Sequence, residues 1–419
     1  MQRTILHIDF DSFFASVEQQ YHPAFRNRPL GVTATNGRNC IIASSREAKR
    51  VGIGTGSRVH EAKKICPALA LTPADFVTYW EISKKFIAIC KDYSPDVEVF
   101  SIDELFMDVA LAAHLFGGVY PLVTDLKKRI KQEIGDYITV SIGISYNKLL
   151  AKLASGLRKP NGVVEIKPYQ VEQFYKIAKL TDVCGIGERI KVRLEAMGIY
   201  TLLHLRKAPL PALIAEFGNV QGHILKNIGF GIDESEIIPY TQEPEVKSVG
   251  RNYCLPHNEY DKRIVLQEVY ELCEEVGIKL RRLHKKARTV GFSLRGQEIL
   301  SGRKTFNYHF NTGKDIFEAC FFLLYKDTPC TRSILDKGYI RQISVWAANL
   351  VDEYAVPRPL LPFDNHWNTL AQVIDSINEK FGDHTIRNGF LLYADKLTTV
   401  PNGYMADKYE RTKLAASEL

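Results

Sequence analysis

The chain has 419 residues, of which 45% are hydrophobic and 25% charged, which describes a soluble globular protein; no stretch approaches twenty apolar residues, which excludes a membrane-spanning helix. The length predicts several domains, because single hydrophobic cores stop growing near about 250–300 residues. The formal net charge of +7 suits a polyanionic partner, although many ordinary enzymes are equally basic.

Apolar runs and helical spacing predict alternating strands and helices in the first 145 residues. In chain order they are a strand over 4–10, a helix over 12–20, strands over 30–34 and 40–43, helices over 46–51 and 78–93, strands over 97–100 and 105–109, a helix over 122–134 and a strand over 138–144. Ser12 could cap the first helix. Asn36-Gly37 predicts a hairpin turn. The β-α-β-β-α-β order predicts an α+β domain.

Carboxylates stand at the ends of two predicted strands. Asp9 follows the apolar run of residues 5–8, and Asp103 and Glu104 follow residues 97–100. Three converging carboxylates could hold two Mg²⁺ ions roughly 3.5–4 Å apart, the arrangement that drives in-line phosphoryl transfer. Ordinary strand-end or turn residues are the alternative for any single acid, but the two segments together favour a metal site.

From residue 167 the pattern becomes helical and contains Gly185-Ile186-Gly187. Backbone N–H groups at such glycines can face a DNA phosphate, because no side chain blocks the approach. A plain helix turn with a C-cap glycine is the alternative. Residues 236–246 contain two prolines and mixed charges without periodicity, which predicts a linker.

A second alternating unit is predicted over residues 247–352. Its elements are a strand over 248–255, a helix over 262–285, strands over 289–295 and 303–310, a helix over 314–325 and a strand over 340–350. Basic residues on this unit could contact backbone phosphates, and a solvated charge run is the alternative. A helix with an apolar stripe is predicted over 366–380, as core or as an interface.

The eight cysteines are scattered, without a Cys-x-x-Cys pair. Neither a zinc site nor a disulfide framework is therefore expected, and this usage is typical of a reducing cytosol. No signal peptide precedes the first predicted strand.

Three motifs follow one another in order along the chain. They are Asp-Phe-Asp-Ser-Phe-Phe-Ala-Ser-Val-Glu at 9–18, Ser-Ile-Asp-Glu at 101–104, and a block at 143–162 that ends in Arg-Lys-Pro-Asn-Gly. Together they resemble the Y-family DNA polymerases, the translesion group that includes bacterial polymerases IV and V.

The resemblance implies an α+β, multidomain right-hand polymerase. Its implied parts are a ferredoxin-like palm (1–10 and 78–166), small fingers (11–77), a helical thumb with a helix-hairpin-helix (167–235), a linker (236–246), an α+β little finger (247–352), and a C-terminal helix and tail (353–419).

The resemblance also implies the roles of the site residues. Asp9, Asp103 and Glu104 would be catalytic and, with the Phe10 carbonyl, would bind two Mg²⁺ ions, which Mn²⁺ could replace. Asp11 matches a position that is more often structural. The implied dNTP-binding residues are Phe13, Phe14, Arg46, Lys49 and Lys159, with Phe14 as the steric gate against ribose. The residues implied to lie over the nascent base pair are Ala34, Cys40 and Ile42.

Primer–template DNA is the implied partner. The expected DNA contacts are Gly185, Gly187, Lys191, Ser248, Arg251, Arg288, Arg295, Arg303, Lys304 and Arg341. Residues Leu360–Phe363 resemble a peptide that docks on the sliding clamp, with local packing as the alternative. A monomer without membrane attachment is expected, in the cytoplasm and associated with the bacterial nucleoid.

The expected activity is template-directed DNA synthesis past damaged bases, distributive, of low fidelity and without proofreading. The alternatives are a catalytically silent DNA-binding scaffold of the same fold and another palm-domain enzyme such as a nucleotide cyclase. The Gly-Ile-Gly motif and the basic second unit count against a cyclase. The three adjacent carboxylates count against a scaffold, which has no physical need for them.

Overall fold

The computed structural model describes residues 3–34, 40–242, 245–325, 338–357, 366–382 and 385–392. The described residues form two compact units that divide between Pro244 and Glu245. Within these ranges, no helix combines the length and the apolar character that crossing a membrane requires. The predicted hairpin turn and Leu360–Phe363 lie outside the described residues.

The first unit contains β1 (Ile5–Phe10), α1 (Phe13–Tyr21), β2 (Leu30–Thr33), β3 (Ile41–Ser44), α2 (Arg46–Arg50), α3 (Val59–Ile65), β4 (Ala70–Pro73), α4 (Phe76–Lys91), β5 (Val97–Val99), β6 (Glu104–Asp108), α5 (Val119–Glu133), β7 (Val140–Ser145), α6 (Lys148–Leu157), β8 (Val163–Ile166), α7 (Val171–Ile177), α8 (Glu188–Ala196), α9 (Leu202–Lys207), α10 (Leu210–Phe217) and α11 (Asn219–Phe230).

The second unit contains β9 (Ser248–Glu259), α12 (Lys262–Arg282), β10 (Lys285–Gly296), β11 (Ile299–Phe310), α13 (Gly313–Tyr325), β12 (Ile340–Ala348), β13 (Val351–Asp352) and α14 (His366–Phe381). The predicted α+β class is confirmed in both units, and the predicted elements reappear with bounds shifted by a few residues.

A five-stranded sheet with the order β5-β6-β1-β7-β8 is the centre of the first unit. β1 is the middle strand and pairs antiparallel with both β6 and β7. This strand is almost entirely buried, so its apolar side chains enter the core while its C-terminal end reaches the sheet edge with Asp9 and Phe10. Any polar side chain at that end is therefore held by a rigid sheet.

Four elements of the first unit were not predicted. α3 buries only Ala62, so its sequence carries little helical periodicity. β4 ends at Pro73, β8 follows Pro-Asn-Gly, and both are only four residues long. α6 lies in the third motif, for which the sequence analysis predicts no helix. It lies tightly on β7, since a Cβ at Gly143 would come within 1.9 Å of the Ala151 carbonyl.

The predicted N-cap role of Ser12 is wrong. Ser12 precedes α1 in a left-handed conformation with φ of 54° and makes no side-chain capping hydrogen bond. Its hydroxyl instead accepts a hydrogen bond from Lys49 Nζ at 2.8 Å. A capping residue normally has extended backbone angles, so the conformation of Ser12 explains the difference.

The predicted linker is attached to the first unit over part of its length. The Tyr240 backbone N–H donates to the Val97 carbonyl at 3.0 Å, and the Ile238 N–H donates to Glu98 at 2.9 Å. Lys148 also donates to Glu98 and to the Glu236 carbonyl. Residues 236–240 of the predicted linker are thus hydrogen-bonded to the first unit, and the two units divide after residue 244.

The second unit is an antiparallel sheet with the order β11-β10-β12-β9, covered on one face by α12 and α13. The described C-terminal residues belong to this unit rather than to a separate tail. Arg281 of α12 donates to both carboxylate oxygens of Asp375 in α14, at 2.6 and 2.8 Å. Asn388 then donates to the Tyr270 hydroxyl, so residues after α14 also return to α12.

Candidate active site

The strand ends bring the predicted carboxylates to one edge of the first sheet. Asp9 on β1 lies directly opposite Glu104 on β6. The Phe10 backbone N–H donates to the Asp103 carbonyl at 3.0 Å, which fastens the two acidic segments together. The sequence prediction that these segments converge is therefore matched by the geometry, while their role in metal binding stays a prediction.

Each of the three carboxylates has one oxygen bound by a protein donor. Lys159 Nζ lies 2.5 Å from Oδ1 of Asp9, and the Ser101 hydroxyl donates to Oδ1 of Asp103. Oε2 of Glu104 accepts hydrogen bonds from both Lys152 Nζ and His7 Nε2. Among the described residues, the donors to Asp9 and Glu104 all reach Oδ1 and Oε2, so Asp9 Oδ2 and Glu104 Oε1 remain available to a hard cation.

The electrostatic environment differs between these acids. Burial raises the pKa of Asp9 above its usual value, an effect that Lys159 opposes. Burial likewise raises the pKa of Asp103. Burial also acts to raise the pKa of Glu104, but the His7 hydrogen bond and the Lys152 ammonium outweigh it and bring that pKa to about 2. A cation would compensate the cost of ionising Asp9 and Asp103.

His7 also lies at this edge, although no sequence motif singled it out. It is fully buried on β1, with Nδ1 2.7 Å from the Ser155 hydroxyl and Nε2 3.0 Å from Glu104. His7, Asp9 and Glu104 form the acid–histidine cluster compact enough to hold a metal among the described residues, whereas Asp103 lies outside that cluster. A polar residue inside an apolar strand was the available signal.

Asp11 does not face the sheet edge that carries Asp9 and Glu104. Its buried carboxylate accepts hydrogen bonds from the Thr139 and Ser141 hydroxyls at 2.6 and 2.7 Å. It also accepts from the Asn161 backbone N–H at 2.7 Å. Both oxygens are therefore occupied, which fits the structural role expected for this residue.

A cleft of about 290 Å³ opens beside the acids. Residues of β1, α1, β3, α2 and the 101–103 and 158–162 loops form it. Its lining includes Asp9, Phe10, Phe13, Phe14, Ile42, Lys49, Asp103 and Lys159. Eight of the residues predicted to bind metal, nucleotide or the nascent base pair thus share one cavity.

Two aromatic neighbours at the start of α1 have different environments. Phe13 is buried in the core and stacks on Phe10 with ring centroids 4.8 Å apart. Phe14 is half-buried and stacks on Tyr79 with centroids 4.3 Å apart. Phe14 is therefore supported from behind and presents its remaining surface to the cleft, as a steric gate requires.

Three other residues, predicted to bind the nucleotide or to lie over the nascent base pair, are outside that lining. Arg46 donates to the Thr139 hydroxyl, and one of its terminal nitrogens lies 3.9 Å from Asp11. It is therefore turned toward the Asp11 network rather than toward the carboxylate edge. Ala34 is buried and Cys40 exposed, at the two ends of a segment outside the described residues.

The Gly-Ile-Gly segment lies between a 3₁₀ turn and α8. Gly185 has φ of +97°, a conformation that strains most other residues. Gly187 is the N-cap of α8, so α8 begins at this point with its first backbone N–H groups. Lys191 pairs with Glu188 at 3.3 Å within α8.

The basic residues of the second unit divide between the two faces of its sheet. Lys304 pairs with the core residue Val290, and its ammonium lies 4.0 Å from the centre of the Phe322 ring, on the helix-covered face. Arg251 forms a 3.0 Å ion pair with Glu275 of α12, also on that face. Both side chains therefore lie between the sheet and the helices, and their predicted role in DNA binding stays a prediction.

Arg303 has the opposite orientation. It is exposed and follows Lys304 in the alternation of β11, so it points to the open face of the sheet. Trp346 also lies on that face, because a Cβ at Gly291 would come within 2.2 Å of its indole ring. Arg295 and Ser248 are exposed, Arg341 is half-buried, and Arg288 donates to the Phe306 carbonyl.

Comparison with known proteins identifies two matching regions. Residues 8–156 match the model of the impB/mucB/samB family, and residues 246–358 match the C-terminal domain of that family. The chain is 34% identical over 399 residues to DNA polymerase IV of Pelotomaculum thermopropionicum, covering 92% of this chain and 94% of that protein.

Two further similarities cover most of the chain. DNA polymerase IV of Acetivibrio thermocellus is 30% identical over 403 residues, covering 94% of this chain and 98% of that protein. A solved Y-family DNA polymerase chimera has a TM-score of 0.70 at 24% identity, covering 83% of this chain and 99% of the chimera. The structural likeness shows the fold.

Proposed function

The chain belongs to the impB/mucB/samB family of Y-family DNA polymerases, and we propose that it extends primers past damaged bases with Asp9, Asp103 and Glu104 as the ligands of two Mg²⁺ ions. The family resemblance drawn from the three motifs is confirmed. The chain is a DNA-directed DNA polymerase for translesion synthesis, and its residue roles are the proposal.

The observation that carries the proposal is the arrangement of the three carboxylates. Asp9 and Glu104 lie opposite each other on paired strands, and these two acids each keep one oxygen without a donor among the described residues. Carboxylate oxygens and water are the ligands that Mg²⁺ prefers. When bound, the two ions would activate the primer 3′-hydroxyl and neutralise the triphosphate. Mn²⁺, which also binds oxygen ligands, could replace them.

The surrounding residues would bind and orient the substrates. Lys159 would leave Asp9 for a phosphate oxygen of the dNTP, since the cation would then compensate the Asp9 charge. Lys49, at the same cleft, would add a second positive charge. Phe14 would exclude the ribose 2′-hydroxyl, which selects deoxynucleotides, and Ile42 would lie over the nascent base pair.

The proposal assigns DNA contacts by position on each unit. In the first unit these are Gly185, Gly187 and Lys191, where backbone N–H groups and one lysine can meet a phosphate. In the second unit they are on the open sheet face, with Arg303 and Arg295 as its exposed cations. We further propose a monomer that works on nucleoid DNA in the cytoplasm, and that Leu360–Phe363 docks on the sliding clamp.

Titration of Mg²⁺ into a primer-extension reaction tests this function. The wild-type protein should extend an undamaged primer–template only when Mg²⁺ is present. The double variant Asp103→Ala/Glu104→Ala should bind the DNA and extend nothing. Equal extension by wild type and double variant would overturn the assignment of the metal ligands.

A further inference from the structure

Other side chains hold the Glu104 carboxylate in one orientation, which matters because Glu104 is a metal ligand in the proposed function, on which this inference rests. Glu104 is the first residue of β6, and its side chain is 14% exposed. A glutamate has three rotatable side-chain bonds, so a cation site gains precision when other groups fix its carboxylate. Two groups converge on one of its oxygens, Oε2.

The first group is His7, two residues before Asp9 on β1. Its Nε2 lies 3.0 Å from Oε2 of Glu104, and the imidazole is completely buried. An ionised carboxylate only accepts hydrogen bonds. Nε2 must therefore carry the proton, in the neutral ring and in the imidazolium alike.

The second group is Lys152 of α6, which donates to the same oxygen and lies 4.6 Å from the centre of the Phe100 ring. With Oε2 held from two sides, Oε1 is the oxygen that has no donor among the described residues. The carboxylate is thus oriented before any cation arrives.

Ser155 lies one turn after Lys152 on α6 and completes the arrangement. Its hydroxyl oxygen is 2.7 Å from His7 Nδ1 and 2.9 Å from the Lys152 carbonyl. The hydroxyl donates its one proton to that carbonyl, so its oxygen is the partner that His7 Nδ1 meets. The second ring nitrogen of His7 is thus held by a buried serine 148 residues away in sequence.

We propose that His7 is a positioning residue, which donates from Nε2 to Glu104 while Ser155 holds its ring at Nδ1, so that Glu104 Oε1 points to the metal site. His7 touches neither substrate nor metal in this arrangement and acts through Glu104. Direct ligation by His7 is the competing role, and it would require Nε2 without a proton.

Substitution of His7 tests the proposal. His7→Gln retains an amide donor at the distance of Nε2, whereas His7→Leu retains a similar volume without a donor. Binding of Mn²⁺ to the full chain with primer–template DNA is measured by electron paramagnetic resonance. His7→Leu should weaken Mn²⁺ binding and raise the Mg²⁺ half-saturation of extension by roughly tenfold, as loss of an outer-shell partner does. His7→Gln should recover most of that loss.

A milder variant and a direct observation keep the test decisive if His7→Leu does not fold. Ser155→Ala should weaken Mn²⁺ binding, while the matched control Ser145→Ala should not, because the buried Ser145 hydroxyl donates to the Ile166 carbonyl away from Glu104. Nitrogen NMR of the wild-type protein should show His7 protonated at Nε2.

Several results would contradict the proposal. They are an unprotonated Nε2, unchanged Mn²⁺ binding in His7→Leu and Ser155→Ala, or equal losses in His7→Gln and His7→Leu, which would indicate direct ligation. Wild-type extension that depends on Asp103 and Glu104 would at the same time leave the proposed function standing. If the double variant still extends primers, the proposed function fails whatever His7 does.

Discussion

The Asp11 carboxylate accepts a hydrogen bond from the backbone N–H of Asn161 at 2.7 Å, across 150 residues of sequence. This contact fixes the loop that carries Lys159, two residues before Asn161. The same carboxylate accepts from Thr139 and Ser141, which ties the loop to the start of β7. An acid of the first motif thus fixes the Lys159 side of the cleft and does not join Asp9 and Glu104 at the sheet edge.

Asp11→Asn should therefore act on the nucleotide rather than on the metal. An amide offers one acceptor where three donors converge, so a buried donor loses its partner, at a cost of about 1–3 kcal/mol in unfolding free energy. The KM for dNTP should rise while the Mg²⁺ half-saturation stays near that of wild type. Steady-state extension and denaturant unfolding measure both effects.

Asp92→Asn is the matched control, because Asp92 forms an exposed ion pair with Arg129 at 2.9 Å. Exposed pairs contribute little to stability. A large increase in the Mg²⁺ half-saturation of Asp11→Asn would instead make Asp11 a metal ligand.

Asp103→Asn should stabilise the metal-free protein and abolish extension. Because burial raises the pKa of Asp103 above 3.8, the ionised carboxylate is less favourable in the fold than in the unfolded chain. The fold therefore loses stability as the pH rises through that raised pKa, and asparagine removes the loss. Thermal unfolding without metal should give a higher Tm for the variant at pH 7 and no difference at pH 3.

Loss of a residue that only hydrogen-bonds to a metal ligand lowers activity by about 10–100-fold. The catalytic rate of Asp103→Asn should fall by more than that. Asp136→Asn is its control for charge removal, since Asp136 is a surface residue with 79% side-chain exposure. A lower Tm of Asp103→Asn at pH 7 would show that its carboxylate stabilises the fold.

Phe14→Leu should admit ribonucleotides. The Phe14 ring stacks on Tyr79 and lines the cleft with Asp9, so a smaller side chain opens space where a 2′-hydroxyl would lie. Discrimination between dNTP and rNTP, as the ratio of kcat/KM values, should fall by roughly tenfold or more. Phe86→Leu is the control, because Phe86 lies in the same core and is not part of the cleft lining; it should lower stability and leave the ratio unchanged. Equal ratios in both variants would exclude Phe14 as the gate.

Arg303→Ala should weaken DNA binding in a salt-dependent manner. Arg303 points to the open sheet face of the second unit, and each lost phosphate contact should reduce the slope of log affinity against log salt by about 1. Lys304→Ala is the adjacent control, because Lys304 lies against Phe322 on the helix-covered face. Fluorescence anisotropy with duplex DNA at several salt concentrations measures the slopes. The reverse order of effects would place the DNA on the other face.

The sequence predicted the convergence of the carboxylates because strand ends are readable from short apolar runs. Asp9 and Glu104 needed only the pairing of two neighbouring strands to meet. His7 could not be interpreted in the same way, since its partners Glu104 and Ser155 lie 97 and 148 residues away. A single histidine in a buried strand belongs to no periodic sequence pattern that would identify its partners.

The basic residues of the second unit show a second limit of prediction from the sequence. Which face Arg303 and Lys304 take depends on strand register, and the pairing of β10 with β11 is irregular next to these residues, where residues 306–309 of β11 lie opposite Arg288 alone. Composition predicted the positive charge of the second unit. Only the pairing of its strands shows which basic side chains are exposed and which pack on α12 and α13.

The most direct test of the central claim is primer extension on a template with a single abasic site, beside Asp103→Ala/Glu104→Ala. The wild-type protein with Mg²⁺ and dNTPs should extend the primer past the abasic site, and the double variant should bind the same DNA with similar affinity and add no nucleotide. Bypass that persists in the double variant would contradict the carboxylate site, and DNA binding without any wild-type extension would contradict catalysis by this chain alone.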